Sequence, residues 1–178
     1  LSTGGVIMKK LLLAILLLIL PWSVADAYRN EPMGFGHLWW NMSVSDMSEQ
    51  YFPIPQGDAD NGSSVYMIRV PDANGELGLK GTQYLLCYFQ NDELKNIEIF
   101  LLQPKSPEKQ DIVYKNTVYD LTQLFGKPIN EEGATAWYGT STVVFVMKLD
   151  DNRIVIDLAD TDYFEDTLKG DYWSFYRE

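Results

Sequence analysis

Residues 81–102 constrain this chain more than any other stretch. They read GTQYLLCYFQNDELKNIEIFLL, an apolar run, a short polar turn and a second apolar run, which predicts a β-hairpin at the centre of an antiparallel sheet. The first run contains no Pro and no Gly after Gly81 and is rich in aromatic and aliphatic side chains, the composition that fits a pleated, buried surface. Strand side chains alternate, so Tyr84, Leu86 and Tyr88 share one face and Leu85, Cys87 and Phe89 the other. A strand that is apolar on both faces belongs in a covered, central position. In the second run Ile97, Ile99 and Leu101 point one way while Asn96 and Glu98 point the other. Gln90-Asn91-Asp92-Glu93 supplies the turn, because Asn tolerates positive φ and Asn and Asp side chains bond the local backbone. Pro104 cannot extend a hydrogen-bonded ladder, so the second strand stops before it.

The first 27 residues carry a different signal. Met8-Lys9-Lys10 begins a basic segment, residues 11–20 are apolar, and Ala25-Asp26-Ala27 fits a small-x-small cleavage pattern. Together they predict a leader and signal peptide over residues 1–27, removed on export. The apolar run ends at Pro21-Trp22-Ser23, short of a bilayer span, so no stable membrane insertion is expected after cleavage. The remaining residues 28–178 suit one globular domain. Setting the leader aside removes two lysines and one aspartate, taking 14 basic and 25 acidic residues to 12 and 24. A surface that acidic argues against a nucleic-acid partner and permits a protein or glycan partner. Cys87 is the only cysteine, so no intramolecular disulfide and no cysteine metal cluster can form. Its apolar neighbours predict a buried, inert thiol.

The rest of the chain divides readily. Residues 35–40 (FGHLWW) predict a short strand, and Ser43-Val44-Ser45-Asp46 a capping box that opens a helix running to about Phe52, ended by Pro53 and Pro55. Residues 56–63 and 71–81 read as loops and 64–70 as a strand between them. Pro107–Phe125 is the clearest helix: Ser106 precedes it, Pro107 takes its first position, Gly126 and Pro128 end it, and Tyr114, Val118, Leu121 and Phe125 form one apolar stripe. Residues 134–138, 142–149 and 153–159 read as three further strands and 161–168 as a short helix. These elements predict an α+β domain: an antiparallel sheet of about six strands, one main helix packed on a face, and short extra helices. Each half runs helix, loop, then strands, a faint internal repeat.

Candidate sites are few. Asp58 and Asp60, in Asp58-Ala59-Asp60-Asn61-Gly62, are the candidate metal ligands, for calcium; the spacing does not match an EF-hand, because Gly62 is fifth and the twelfth position is Arg69. Asp157, Asp160, Asp162, Glu165 and Asp166 form the densest acidic group, and paired carboxylates can act as acid and base or hold a cation. His37 is the sole histidine, which removes the common zinc sets. No Gly-x-Ser-x-Gly elbow, phosphate loop or dinucleotide fingerprint is present. No catalytic residues and no cofactor are therefore assigned. Tyr172, Trp173 and Tyr176, in an aromatic tail, are the candidate partner-binding residues.

The strand over residues 35–40 with its Ser-capped helix, the Tyr88-Phe89 … Glu93-Leu94 hairpin, and Leu121-Thr122-Gln123-Leu124-Phe125-Gly126-Lys127-Pro128 before a Trp-containing strand resemble small exported bacterial proteins of uncharacterised function. The helix, Phe-Gly-x-Pro and hairpin unit is similar to one in envelope proteins of the outer-membrane-assembly-lipoprotein and β-lactamase-inhibitor-like kind, where it supports protein–protein contacts. The chain departs from them in having no lipidation cysteine and in having Asn41, not Gly, after Trp40. No functional residue carries over. The function expected is that of an exported, non-enzymatic domain, periplasmic or extracellular, that binds another macromolecule. The alternatives are a carboxylate-dependent hydrolase of envelope polymers and a calcium- or sugar-binding module.

Overall fold

A computed structural model gives the structure, and it describes residues 30–69, 79, 81–101, 104–131, 134–149 and 153–168. The chain opens with a two-strand hairpin, β1 (Gly34–Phe35) and β2 (Leu38–Trp39), then helix α1 (Val44–Ser48). Four strands follow: β3 (Ile54–Asp58), β4 (Ser64–Ile68), β5 (Thr82–Gln90) and β6 (Glu93–Leu101). Helix α2 (Pro107–Phe125) leads to four more: β7 (Ile129–Glu131), β8 (Ala134–Tyr138), β9 (Thr142–Lys148) and β10 (Ile154–Asp160). A final turn of helix, α3 (Thr161–Tyr163), passes into a π-helical turn over Phe164–Leu168.

The expectation of an α+β domain with about six strands is overturned. The described chain is mostly β, 45% strand and 25% helix, with one eight-stranded antiparallel sheet and a separate two-stranded one. Only one helix reaches seven residues, so helices cover the sheet rather than share the architecture with it. The missed strands are those whose sequences oppose strand formation. β3 contains Pro55 and Gly57 and lies at a sheet edge, where Pro is tolerated, with a register shift between those two residues. β7 has three residues and forms the opposite edge. The single strand expected over residues 35–40 is a hairpin. It turns at Gly36 and His37, and a Cβ on Gly34 would lie 2.0 Å from the Leu38 carbonyl oxygen. His37 is exposed on that turn rather than in a strand face.

The strand order is β3-β4-β5-β6-β10-β9-β8-β7. Each half is thus a helix followed by a four-stranded meander, α1 with β3–β6 and α2 with β7–β10. The two meanders meet through their last strands, β6 against β10. The repeated order of elements, which has no residue-level self-similarity behind it, thus corresponds to two like-ordered halves of one sheet.

The central hairpin forms as its residues dictate. Asn91 and Asp92 adopt φ of 54° and 63°, the left-handed conformation that a tight two-residue turn needs. Asp92 also accepts the Val44 amide at 3.1 Å, tying the turn to the start of α1. Ser43 and Asp46 complete the capping box, and the hydrogen bond from the Ser43 side chain, then that from its backbone, holds the Asp46 carboxyl below its ordinary range. One sheet face carries the main core. Leu85, Cys87 and Phe89 join Ile97, Ile99, Ile156, Leu158, Val144, Val146 and Trp137 under Leu121 and Phe125 of α2. Phe35, Leu38, Trp40, Met42 and Met47 pack into the same cluster, so both α1 and α2 lie on this face. Cys87 is fully buried there and burial pushes its thiol far up.

Two fastenings lock this layer. The indole Nε1 of buried Trp137 donates to the Gly126 carbonyl at 2.9 Å, just past the end of α2, while its ring meets Phe125 edge-on at 5.9 Å. The second is a strap at the start of the described chain. The Glu31 carboxylate accepts the amides of Ser141 and Thr142 at 2.5 and 2.6 Å and the Thr140 hydroxyl at 3.0 Å. Thr142 then donates its hydroxyl to the Pro32 carbonyl and accepts the Trp40 indole at 2.7 Å.

Candidate functional site

The opposite face is less uniform. Over β8 and β9 it is apolar, with Ala134, Ala136, Val143, Phe145 and Met147 around Phe164 from the C-terminal helical turn. Over β5, β6 and β10 it carries Tyr84, Leu86 and Tyr88, then Asn96, Glu98 and Phe100, then Val155, Asp157 and Ala159, as strand alternation requires. Asp157 and Glu98 are register partners across the seam between the two meanders. Side chains directly opposite in an antiparallel pair have Cβ atoms about 4.5–5.5 Å apart. Two carboxyl groups are thus set side by side at the centre of the sheet.

Asp157 is 1% exposed. Asn96, on the neighbouring strand, donates its side-chain amide to Asp157 Oδ1 and, at 3.0 Å, to the Leu158 carbonyl. The second oxygen, Oδ2, has no hydrogen-bond partner among the described residues. Burial raises the Asp157 carboxyl well above its ordinary range, and the negative charge of Glu98 adds to this; only the Asn96 bond opposes it. Half-buried Glu98 is likewise raised by burial, against a hydrogen bond from Tyr88 and the positive charge of Arg153. The Tyr88 phenol is pushed up in turn, first by burial and then by Glu98. Arg153 lies over the Phe100 ring at 5.3 Å, and Phe100 stacks on Tyr84 at 4.5 Å. At the top of the face the Tyr163 hydroxyl exchanges a hydrogen bond with buried Ser63 Oγ at 2.9 Å and accepts Asn61 Nδ2 at 2.8 Å. These contacts pin the C-terminal helix across the sheet to the β3–β4 loop.

This arrangement separates the acidic group over residues 157–166. Asp157 points into the sheet face, Asp160 caps the final helix by accepting the Tyr163 amide at 3.1 Å, and Asp162, Glu165 and Asp166 are exposed. The partner of Asp157 is Glu98, 59 positions away, which sequence proximity does not suggest. One signal was present: Asp157 is the only charged residue inside the apolar run over residues 154–159. Asp58, the last residue of β3, and Asp60, in the β3–β4 connection, are both exposed. Asp58 accepts the Ser64 hydroxyl at 3.0 Å, and the loop closes on itself through Asn61, whose Oδ1 accepts the Ser63 amide at 3.0 Å. Among the described residues no three Asp, Glu, His or Cys side chains gather to hold a metal ion. Tyr172, Trp173 and Tyr176 lie outside the described residues.

The fold and this face together define a class: a mostly β domain built from two helix-plus-meander halves, with an acid pair at their junction. No family model matches the chain, and neither a curated protein nor a solved structure is significantly similar to it.

Proposed function

We propose that the chain is an exported domain that binds another macromolecule, a protein, through the sheet face formed by β4, β5 and β6. The observation that carries this is the set of side chains on that face: Met67, Tyr84, Leu86 and Tyr88 are all half-buried. Among the described residues, α1, α2 and the β1–β2 hairpin all pack on the other side. Large side chains with rigid rings, next to one acid and one arginine, suit a protein contact better than a sugar cleft or a small-molecule pocket. The basic, apolar and small-x-small sequence of residues 1–27 supports export. The resemblance to envelope proteins whose helix-and-hairpin unit makes protein–protein contacts points the same way. The hydrolase reading is weakened by Asp157, which at 1% exposure offers no carboxylate to a polymer.

The test is site-directed cross-linking in cells that make the whole chain. Photo-reactive residues at Leu86 and Tyr84 are expected to trap a discrete protein in the envelope or medium. The same label at Ile112 and Tyr119, exposed on the outer side of α2, is expected not to. Equal labelling from both surfaces, or recovery of the intact precursor in the cytoplasm, would reject the proposal.

A further inference from the structure

The seam between β6 and β10 joins the two halves of the molecule, and its centre is a pair of acids. Three geometric facts define their state. Glu98 and Asp157 are direct register partners. Asp157 is buried, with Oδ1 already engaged by Asn96. Its other oxygen, Oδ2, has no hydrogen-bond partner among the described residues. A buried carboxylate oxygen with nothing to accept is expensive, and two like charges at this separation cannot both be sustained away from water. Among the described residues, the ionisable groups that act on the pair are these. Tyr88 approaches from β5 and gives its hydrogen to Glu98, with Tyr163 of the C-terminal helix near it. Arg153, at the start of β10, acts on Glu98. β9 presents Phe145 to Asp157 and brings no charge. Among the described residues, no cation faces Asp157.

We propose that Glu98 and Asp157 hold one proton between them, carried on Asp157, and that this proton latches the two meanders together. The latch gives the fold a built-in response to pH. The folded pair keeps a proton that the unfolded chain releases above about pH 4. Folding therefore takes up a proton between that value and the higher pH at which the folded pair ionises. Stability is complete below the ordinary carboxylate range, falls as pH rises through this window and levels off beyond it.

The test is a pair of measurements on the full chain. Carbon NMR of labelled Asp and Glu carboxyl groups is expected to show one coupled pair still titrating after every other carboxyl has ionised. If all carboxyl groups titrate in the ordinary range, the proposal is wrong. Urea unfolding across pH 4–9 is expected to show the wild-type folding constant falling by up to tenfold per pH unit relative to Asp157→Asn. In that variant the buried position can no longer ionise, so the slope should shrink; Glu98→Gln, which removes only the neighbouring charge and leaves Asp157 buried, should narrow the window from its upper end. Wild-type slopes in both variants would overturn the latch. So would a rise in the unfolding midpoint with calcium or magnesium at pH 8 that Asp157→Asn abolishes, since a metal ion would then occupy the pair. If both variants fail to fold, the carboxyl titration of the wild type decides.

Discussion

The bond from Trp137 to the end of α2 can be tested quantitatively by Trp137→Phe. The substitution keeps a ring against Phe125 but removes the indole N–H and two ring carbons. The N–H donates to the Gly126 carbonyl at 2.9 Å, and Trp137 is 2% exposed, so water does not replace it readily. Leaving this half-buried acceptor without its donor costs about 1 kcal/mol, and up to about 3 kcal/mol where water cannot reach it. Losing two buried carbons removes about 1.6 kcal/mol of transfer free energy, at about 0.8 kcal/mol each, and partial collapse around the gap offsets some of the total. The expected loss is about 2–4 kcal/mol, or about 4–16 °C in melting temperature for a domain of this size. Urea and thermal unfolding, followed by far-ultraviolet circular dichroism, would measure it. Because the rings of Phe125 and Trp137 meet edge-on, a separate double-mutant cycle of Trp137→Leu with Phe125→Leu, which removes both rings, should show coupling of about 0.5–1.5 kcal/mol. A Trp137→Phe loss below about 0.5 kcal/mol would refute the argument that this hydrogen bond closes the helix onto the sheet.

Three further outcomes are expected. Gly139→Ala would put a Cβ 2.2 Å from Glu31 Oε1, so it should release the strap; Glu31→Gln should lose about 1.5–3 kcal/mol, and hydrogen exchange at the Ser141 and Thr142 amides should speed up in both. Asp92→Asn should stay within about 0.5 kcal/mol of wild type because it keeps the positive φ and the acceptor for the Val44 amide. Asp92→Ala should lose about 1–2 kcal/mol in urea unfolding. Cys87, buried with its thiol pushed up, should resist a thiol reagent at pH 8 until the protein is unfolded; stoichiometric labelling of the native protein would contradict its burial.

Local rules account for what could be read directly. α2 begins at Pro107 and ends at Phe125 as expected, because Pro at the first position and Gly past the end act within one turn. β8 spans Ala134–Tyr138 as expected, and the Asn91-Asp92 turn takes the φ values its residues favour. Ser106 is the exception near α2: it precedes the helix but makes no side-chain capping bond. The strands that escaped notice depend on neighbours. Pro55 and Gly57 argue against a strand anywhere except an edge, and whether β3 is an edge is a property of the whole sheet. Met47 and Phe164 lie on opposite faces of the sheet, although both belong to short helices with similar local signals. The acid pair depends on topology to the same degree. Glu98 and Asp157 each occupy the correct alternating position, but only the pairing of β6 with β10 sets them opposite one another.

The strap has a consequence for the order in which the molecule assembles. Asn30 bonds the Leu124 carbonyl, Glu31 the amides of Ser141 and Thr142, and Trp40 the hydroxyl of Thr142, contacts that span 94 to 111 positions. The first part of the described chain to be synthesised is therefore among the last to be secured, since its anchors belong to the end of α2 and to the turn between β8 and β9. Long-range closure of this kind slows folding and keeps the early chain open until most of the rest has been made. During synthesis Glu31, Pro32 and the Trp40 indole must wait, unfastened, for a turn a hundred residues downstream, although Asn41 and Met42 already have partners at Leu94.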